Sequence, residues 1–209
     1  MKPNETAIVF IEVQNDFCKE GGALYEGVKD QIKAQNTLKN AQDLIQKVRG
    51  KCLTLFVPIL FEQDYCDAGC AGVLGPIHAN AMQAKAFRKG TWGGEIIDEL
   101  KPTKQDIVVD GKRTLDAFHS SNIDFLLRVN CIKNVAFCGF LTNLCVEGTA
   151  RSAYDKGYKV FLLKDCCAAI SGEEQKYVEE KFFPYIGEAL THDEFLKRLE
   201  CAVPFFLEL

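Results

Sequence analysis

The hydrophobic residues of this chain recur in short, nearly continuous runs that are separated by longer segments with helical spacing. Five runs are rich in β-branched or aromatic residues and are predicted to be strands, over 7–11, 52–60, 106–110, 135–139 and 160–163. A sixth and weaker candidate covers 185–190. Runs that are apolar on both faces are typical of parallel strands that helices cover on both sides.

The segments between these runs are predicted to be helices. One long helix is expected over 31–49, with Gly50 at the position of a C-terminal cap, and shorter helices are expected over 121–129, 143–156, 173–183 and 193–199. This alternation predicts a three-layer, doubly wound α/β fold with a mostly parallel, six-stranded, Rossmann-like sheet, in a single domain over 1–209. The glycine-rich stretch 61–94 has no predicted element, and loops of that length are often functional.

Charge and hydropathy exclude several classes of function. The 209 residues carry a formal net charge of −4 without a basic cluster, so binding to nucleic acid is not expected. The acidic balance disfavours a membrane surface, and no apolar run approaches the roughly 20 residues that span a bilayer. The first apolar run is too short for the core of a signal peptide, so we expect a cytoplasmic protein whose ten cysteines are mostly reduced and buried.

Three reactive side chains follow predicted strands or the turn after one. Glu12 comes after the first strand, Lys112 after the third, and Cys145 after the turn that ends the fourth. In open α/β sheets ligands bind beyond the carboxyl ends of the strands, so we expect these three residues to converge. Cys145 lies in the first turn of a predicted helix, where free N–H groups and the helix dipole would lower the pKa of its thiol.

The two charged residues have roles that fit a reactive thiol. Beside a thiolate, Lys112 would hold the negative charge and position the sulfur. A buried carboxylate at Glu12 needs a partner, and with Lys112 and the thiol proton available it would suit general base and acid work. Taken alone, Cys145 would more often be a structural thiol and Lys112 a solvated surface residue.

Four motifs resemble, in the same order, those of the isochorismatase-like cysteine hydrolases. They are IEVQNDF at 11–17 with GGAL at 21–24, KGTWGGEI at 89–96, Lys112 with DAF at 116–118, and GFLTNLCVEGTA at 139–150. The similarity covers about residues 7–171. It implies the isochorismatase-like hydrolase fold, a small-molecule substrate and no cofactor. It also implies a homo-oligomer, commonly a dimer or tetramer, in which the apolar residues 202–207 could be buried.

The resemblance further implies a mechanism and a set of site residues. Glu12, Lys112 and Cys145 would form a triad in which the thiolate attacks a carbonyl carbon, an amine or ammonia leaves, and water hydrolyses the thioester. The family has a cis peptide in the nucleophile turn, here between Phe140 and Leu141, which would aim the N–H of Leu141 and that of Cys145 at the oxyanion. The resemblance places four more residues at the substrate pocket: Phe17, Trp92, Phe118 and Thr142.

The sequence departs from the family pattern at two places. Glu12 stands where the family usually has aspartate, and its extra methylene moves the carboxylate by about 1.5 Å. A shift of that order costs on the order of 100-fold in rate unless the pocket is adjusted around it. Nicotinamidases of the family carry an Asp-x-His metal motif after the second strand, but residues 61–66 read FEQDYC, so we expect neither a catalytic metal nor nicotinamidase activity.

The expected function is therefore a metal-independent hydrolase of a small amide, carbamoyl or ureido compound. Two alternatives remain open. One is an isochorismatase-type hydrolase that cleaves an enol ether, with Glu12 as the acid. The other is a non-catalytic binding or scaffold protein that kept the fold, which the change to Glu12 favours and the retained Lys112 and Cys145 disfavour.

Overall fold

Six parallel strands form one sheet at the centre of the chain. The computed structural model describes residues 1–69 and 75–200, without the side chain of Glu200. The strands are β1 (Thr6–Ile11), β2 (Leu53–Val57), β3 (Ile107–Val108), β4 (Asn134–Phe140), β5 (Lys159–Ala168) and β6 (Gly187–Leu190). Their order across the sheet is β3-β2-β1-β4-β5-β6, and every neighbouring pair is parallel. The prediction of a doubly wound α/β fold with six strands is confirmed.

Helices flank this sheet and connect its strands. They are α1 (Asn15–Cys18), α2 (Lys29–Gln35), α3 (Thr37–Val48), α4 (Pro76–Gln83), α5 (Ala117–Ser120), α6 (Ile123–Val129), α7 (Glu147–Asp155), α8 (Gly172–Tyr177) and α9 (His192–Glu200). Within the described ranges, no helix combines the length and apolar character that a bilayer-spanning segment needs.

The predicted long helix over 31–49 is wrong, because the chain forms two helices there. Asn36 separates α2 from α3 with φ 54° and ψ 32°, which is the left-handed region. Asparagine tolerates this region better than most residues. Its N–H donates to the carbonyls of Ile32 and Lys33, so Asn36 closes α2 while α3 begins at the next residue.

Two further predictions about the secondary structure need correction. The second strand ends at Val57 rather than at residue 60, because Pro58 has no N–H to donate to a neighbouring strand. The stretch 61–94 was expected to lack regular structure, but it contains α4 and a 3₁₀ turn over Trp92–Gly94. Residues 70–74 of that stretch, and the apolar residues 202–207, lie outside the described part of the chain.

The three central strands, β2, β1 and β4, end at the same level at the carboxyl edge of the sheet. Ile11 at the end of β1 pairs with Val57 on β2 and with Gly139 on β4. Every residue of β1 is buried, as expected for a strand with neighbours on both sides. A Cβ atom at Gly139 would lie 1.9 Å from the carbonyl oxygen of Ile11, so this close approach requires glycine. The residues that follow these strands therefore begin at a common edge.

Candidate active site

The structure brings Glu12, Lys112 and Cys145 together at the carboxyl edge of the sheet. Glu12 directly follows β1, and Lys112 follows β3 after a short connection. Cys145 lies in a π-helical turn, Thr142–Val146, which connects β4 to α7. All three side chains are buried, with exposed fractions of 2%, 0% and 5%. Residues that are far apart in the sequence thus share one site that excludes water.

Glu12 and Lys112 form a buried ion pair. The ammonium of Lys112 donates to Oε1 of Glu12 and also to the carbonyl oxygen of Thr114, at 2.5 Å from the latter. The Cys145 thiol is within hydrogen-bonding reach of both charged side chains. Charges buried in this way are tolerated because each one finds a partner.

The backbone at Glu12 adopts an unusual conformation. Its φ is 52°, in the left-handed region that a residue with a side chain rarely occupies. The N–H of Glu12 donates to the carbonyl of Val57 at 3.1 Å, so β2 holds this residue in place. Strained backbone of this kind is concentrated at functional sites, where the surrounding structure maintains it.

The expectation of a lowered thiol pKa at Cys145 is wrong. Burial, followed by the Glu12 carboxylate, raises the pKa of the Cys145 thiol far above its usual range, and the nearby Lys112 ammonium offsets only part of this effect. Burial alone would lower the pKa of Lys112, but its interactions with Cys145 and Glu12 outweigh burial and raise the pKa overall. The resting site therefore holds a neutral thiol next to a charged lysine.

A small cavity opens onto Cys145. Three of its lining residues offer polar side-chain atoms, namely Glu12, His78 and Cys145. The other lining side chains are all apolar: Phe17, Leu24, Ile59, Phe61, Ile77, Ala81, Phe87, Leu115, Leu141 and Leu144. A few polar groups within an apolar wall are typical of small-molecule sites.

Asp16 holds two parts of the cavity wall together. Its carboxylate accepts hydrogen bonds from the N–H of Phe87 at 2.6 Å and from that of Ala23 at 3.0 Å. A Cβ at Gly93 would lie 2.3 Å from Oδ1 of Asp16, so the chain can pass the carboxylate only with glycine at this position. These bonds fix Phe87 against Phe17, whose ring centroid is 5.1 Å away.

Gln14 joins two further segments behind the same wall. Its side-chain amide accepts from the N–H of Ile59 at 2.9 Å and donates to the carbonyl of the same residue at 2.9 Å. It also donates to the carbonyl of Gly94 at 2.8 Å. The motif at 11–17 thus supplies a catalytic candidate, Glu12, and two polar side chains that hold the cavity in shape.

The predicted pocket residues divide into two groups. Phe17 and Leu141 line the cavity, and the ring of Phe140 packs against Phe17 at 5.8 Å from behind. The peptide bond between Phe140 and Leu141 is cis. Leu141 contributes its side chain to the cavity wall. Its backbone N–H is one of the two that are predicted to face an oxyanion.

Trp92, Phe118 and Thr142 do not line the cavity among the described residues. Trp92 is 51% exposed, and its carbonyl accepts from the Asn15 amide at 2.7 Å. The ring of Phe118 lies against Tyr158, with centroids 6.2 Å apart. Their place at the substrate pocket therefore stays a prediction. The same holds for Thr142, whose hydroxyl donates to Oε1 of Gln175 at 2.7 Å.

The sequence analysis missed the wall that α4 contributes, with Ile77, His78 and Ala81. A signal for this helix was present, because Gly75 followed by Pro76 is typical of a helix start. Nε2 of His78 lies 2.8 Å from the carbonyl oxygen of Arg113. Because a carbonyl oxygen can only accept a hydrogen bond, Nε2 is the ring nitrogen that carries the proton.

Two groups of described residues have the spacing to hold a metal ion, and neither includes a residue that lines the cavity. One comprises Asp165, Cys166 and His192, and the other comprises Asp43, His192 and Asp193. Both lie around the loop between β6 and α9 rather than at Cys145.

The chain is similar to known proteins over nearly its whole length. The model of the isochorismatase domain matches residues 6–194. The ureidoacrylate amidohydrolase RutB of Rhizobium rhizogenes strain K84 is 30% identical over 218 aligned positions, which cover 98% of this chain and 87% of that protein. The protein of the same name from Azorhizobium caulinodans is 31% identical over 197 positions, covering 88% and 86%.

Solved structures show the same architecture. A cysteine hydrolase from Pseudomonas syringae pv. phaseolicola 1448A superposes with a TM-score of 0.85 at 27% identity, covering 97% of this chain and 96% of the other. An isochorismatase family protein from Desulfovibrio vulgaris has a TM-score of 0.80 at 23% identity, which covers 94% of this chain and 98% of the other and shows the shared fold.

Proposed function

Because the chain belongs to the isochorismatase family, we propose that it is an amidohydrolase that uses Cys145 to cleave the C–N bond of a small amide, carbamoyl or ureido compound. The observation that carries this proposal is the position of Cys145. Its thiol touches the buried Glu12–Lys112 pair on one side and opens onto the cavity on the other. A nucleophile beside its base, at the wall of a small-molecule cavity, is the arrangement that covalent catalysis needs.

The first half of the reaction transfers the acyl group to sulfur. Since the resting thiol is neutral, its proton passes to the Glu12 carboxylate as sulfur attacks the substrate carbonyl carbon. The backbone N–H groups of Leu141 and Cys145 stabilise the oxyanion of the tetrahedral intermediate. Glu12 then returns the proton to the departing nitrogen, and the C–N bond breaks to leave a thioester on Cys145 and a free amine or ammonia.

The second half regenerates the enzyme with water. Glu12 takes a proton from a water molecule as its oxygen attacks the thioester carbonyl, and the same N–H groups hold the second oxyanion. Collapse of this intermediate breaks the C–S bond, and the proton on Glu12 returns to the sulfur. The product is a carboxylic acid, or a carbamic acid where the substrate is a carbamoyl or ureido compound.

Lys112 supplies a positive charge that does not need to move. Its ammonium lies against both Glu12 and Cys145 and is completely buried. A positive charge in a low-dielectric site stabilises the negative charge that develops on sulfur during attack. It also holds the Glu12 carboxylate in place, so the longer side chain at this position still reaches the thiol.

Ammonia release, with pyruvate release as the readout for isochorismate, tests this proposal, and the controls separate the alternatives. The wild type is assayed on small amides, carbamoyl amino acids, ureidoacrylate and isochorismate, next to the variants Cys145→Ala, Cys166→Ala and Glu12→Gln. We expect hydrolysis of at least one C–N substrate, its loss in Cys145→Ala and Glu12→Gln, and its retention in Cys166→Ala, whose thiol is also buried. A thioester on Cys145, seen as an added acyl mass after acid quench, would support the covalent step.

Each alternative has a distinct outcome in the same assay. Turnover of isochorismate alone, with Glu12→Gln inactive and Cys145→Ala active, would establish enol-ether hydrolysis instead. A wild type that is inert on every compound, together with activity gained in Glu12→Asp, would favour the scaffold protein and contradict the proposed amidohydrolase.

A further inference from the structure

We infer that the substrate is a small primary amide with an uncharged, apolar acyl group, an inference that rests on the proposed amidohydrolase function. The proteins named ureidoacrylate amidohydrolase, at 30% identity, are named for a substrate that is an anion at neutral pH. The cavity of this chain has a different character. Its wall is mostly apolar, whereas a carboxylate on the substrate would need a positively charged side chain beside it.

The cavity wall contains no lysine or arginine among the described residues. The undescribed segments do not supply one either, because residues 70–74 read CAGVL and 201–209 read CAVPFFLEL. A neighbouring recess shares part of its wall with the cavity. The residues that line only this recess are uncharged: Gly27, Val28, Pro76, Asn80 and Ile170. A charged substrate would therefore pass an uncharged entrance and reach a wall without a counter-charge.

Lys112 and Arg113 are already engaged, and Arg88, which follows Phe87, does not line the cavity. Lys112 is buried behind Glu12 and donates to it. Arg113 donates from its guanidinium to the carboxylate of Asp67 and to the carbonyl of Lys112. The fixed negative charge at the wall is Glu12, which would repel a second carboxylate. Burying an unpaired charge is expensive, so this site selects against anions.

His78 provides a polar contact at this wall. Because Nε2 donates to the carbonyl of Arg113, Nδ1 is left as the hydrogen-bond acceptor whenever the imidazole is neutral. An amide N–H is a donor that such an acceptor can receive. The remaining wall, with Phe17, Phe61 and Phe87, matches an aliphatic or aromatic acyl group.

The test compares two amides of nearly equal shape, 4-methylpentanamide and succinamate, which carry an isopropyl group and a carboxylate at the same position. Ammonia release is measured at pH 8, where an ordinary imidazole is neutral. We expect kcat/KM for 4-methylpentanamide to exceed that for succinamate by at least ~100-fold, since the carboxylate would be buried without a partner. Equal rates, or faster hydrolysis of succinamate or ureidoacrylate, would overturn the inference while leaving the amidohydrolase intact.

A pair of variants on α4 adds a matched control. Ile77 is half-buried and lines both the cavity and the recess, whereas Ala79 on the same helix is exposed. We expect Ile77→Arg to raise the succinamate to 4-methylpentanamide ratio of kcat/KM by ~10-fold or more, because a cation then faces the carboxylate. Ala79→Arg should leave the ratio unchanged, and an equal shift in both variants would contradict the role of the cavity wall.

Binding to Cys145→Ala separates failure of the inference from failure of the proposed function. If no amide is hydrolysed by the wild type, the amidohydrolase is rejected, and calorimetric titration of the variant with both amides still tests the ligand class. Tighter binding of 4-methylpentanamide supports the apolar site. Binding of succinamate that is equal or tighter overturns it.

Discussion

Two clusters in this protein each combine a carboxylate, a nitrogen-bearing side chain and a thiol, yet only one of them lies at the cavity. Glu12, Lys112 and Cys145 meet at the cavity, and all are buried. At the other cluster, both ring nitrogens of His192 make hydrogen bonds to carboxylates, Nδ1 to Asp165 at 2.7 Å and Nε2 to Asp43 at 3.1 Å. Cys166, which is 1% exposed, lies beside Asp165, with 3.8 Å between Sγ and Oδ1.

The difference between these clusters lies in what surrounds the sulfur. Cys145 lines a cavity that can hold a ligand, whereas Cys166 does not line that cavity. Burial raises the pKa of both thiols, so their ionisation does not distinguish them. The partners of His192 are partly exposed to water, with side-chain exposures of 20% for Asp165 and 39% for Asp43. A carboxylate, a nitrogen-bearing side chain and a thiol become a candidate site only where a substrate can reach them.

Removing each thiol in turn is the strongest test of this comparison. Cys145→Ala should lower kcat/KM by at least ~10³-fold, because the proposed thioester forms on this sulfur. Cys166→Ala removes an equally buried sulfur and should leave kcat/KM unchanged. Steady-state ammonia release on the preferred amide measures both. Comparable losses in the two variants would show that burial of a thiol, rather than its place at the cavity, accounts for the effect.

Breaking the buried ion pair should have the next largest effect. Lys112→Met leaves the Glu12 carboxylate buried without its partner, and such a change typically costs about 3–5 kcal/mol of unfolding free energy. The double variant with Glu12→Gln should recover part of this loss, because no uncompensated charge then remains. Urea unfolding followed by circular dichroism gives the values. Strictly additive losses in the double variant would argue against coupling between the two residues.

The corresponding change at the second cluster should be milder. His192→Asn removes bonds to Asp165 and Asp43 and should lower the unfolding free energy by about 1–2 kcal/mol, since water can solvate the two carboxylates that remain. Catalysis should be unaffected, because His192 is outside the cavity wall. The same urea titration and the amide assay check both parts. A large loss of kcat/KM in a stable His192→Asn protein would connect the two clusters and contradict this separation.

The last prediction concerns alkaline pH, where the two thiols should behave alike. Their pKa values are raised in the folded protein, so the unfolded chain loses these protons first, above about pH 8.5. The stability they contribute is complete below that pH and is lost as pH rises toward the folded-state pKa. Each thiol should contribute a slope of about −1.4 kcal/mol per pH unit to the unfolding free energy.

Unfolding measured between pH 8 and 10.5 checks this expectation. Cys145→Ala and Cys166→Ala should each make the decline with pH less steep by the same amount. A wild type whose stability does not decline in this range, or a Cys145→Ala variant with an unchanged slope, would show that the Cys145 thiol is already ionised in the folded protein.

Much of the fold followed from patterns that are local in the sequence. The apolar runs predicted all six strands, because a strand covered on both faces must be hydrophobic at nearly every position. The helix break at Asn36 was missed, since a left-handed residue leaves the hydrophobic spacing on both sides nearly intact. Helix α4 was missed because Ile77 and Ala81 are few apolar positions within a glycine-rich stretch.

The sequence by itself determined which residues would meet, and the tertiary structure decided what they meet there. Glu12, Lys112 and Cys145 could be paired in advance, because the carboxyl ends of parallel strands lie along one edge. The walls of the cavity could not, and α4 supplies three wall residues that no sequence pattern indicated. The protonation of Cys145 also depends on burial and on a charge more than a hundred residues away. Cavity shape and desolvation arise from atoms brought together across the whole fold, and no local pattern encodes them.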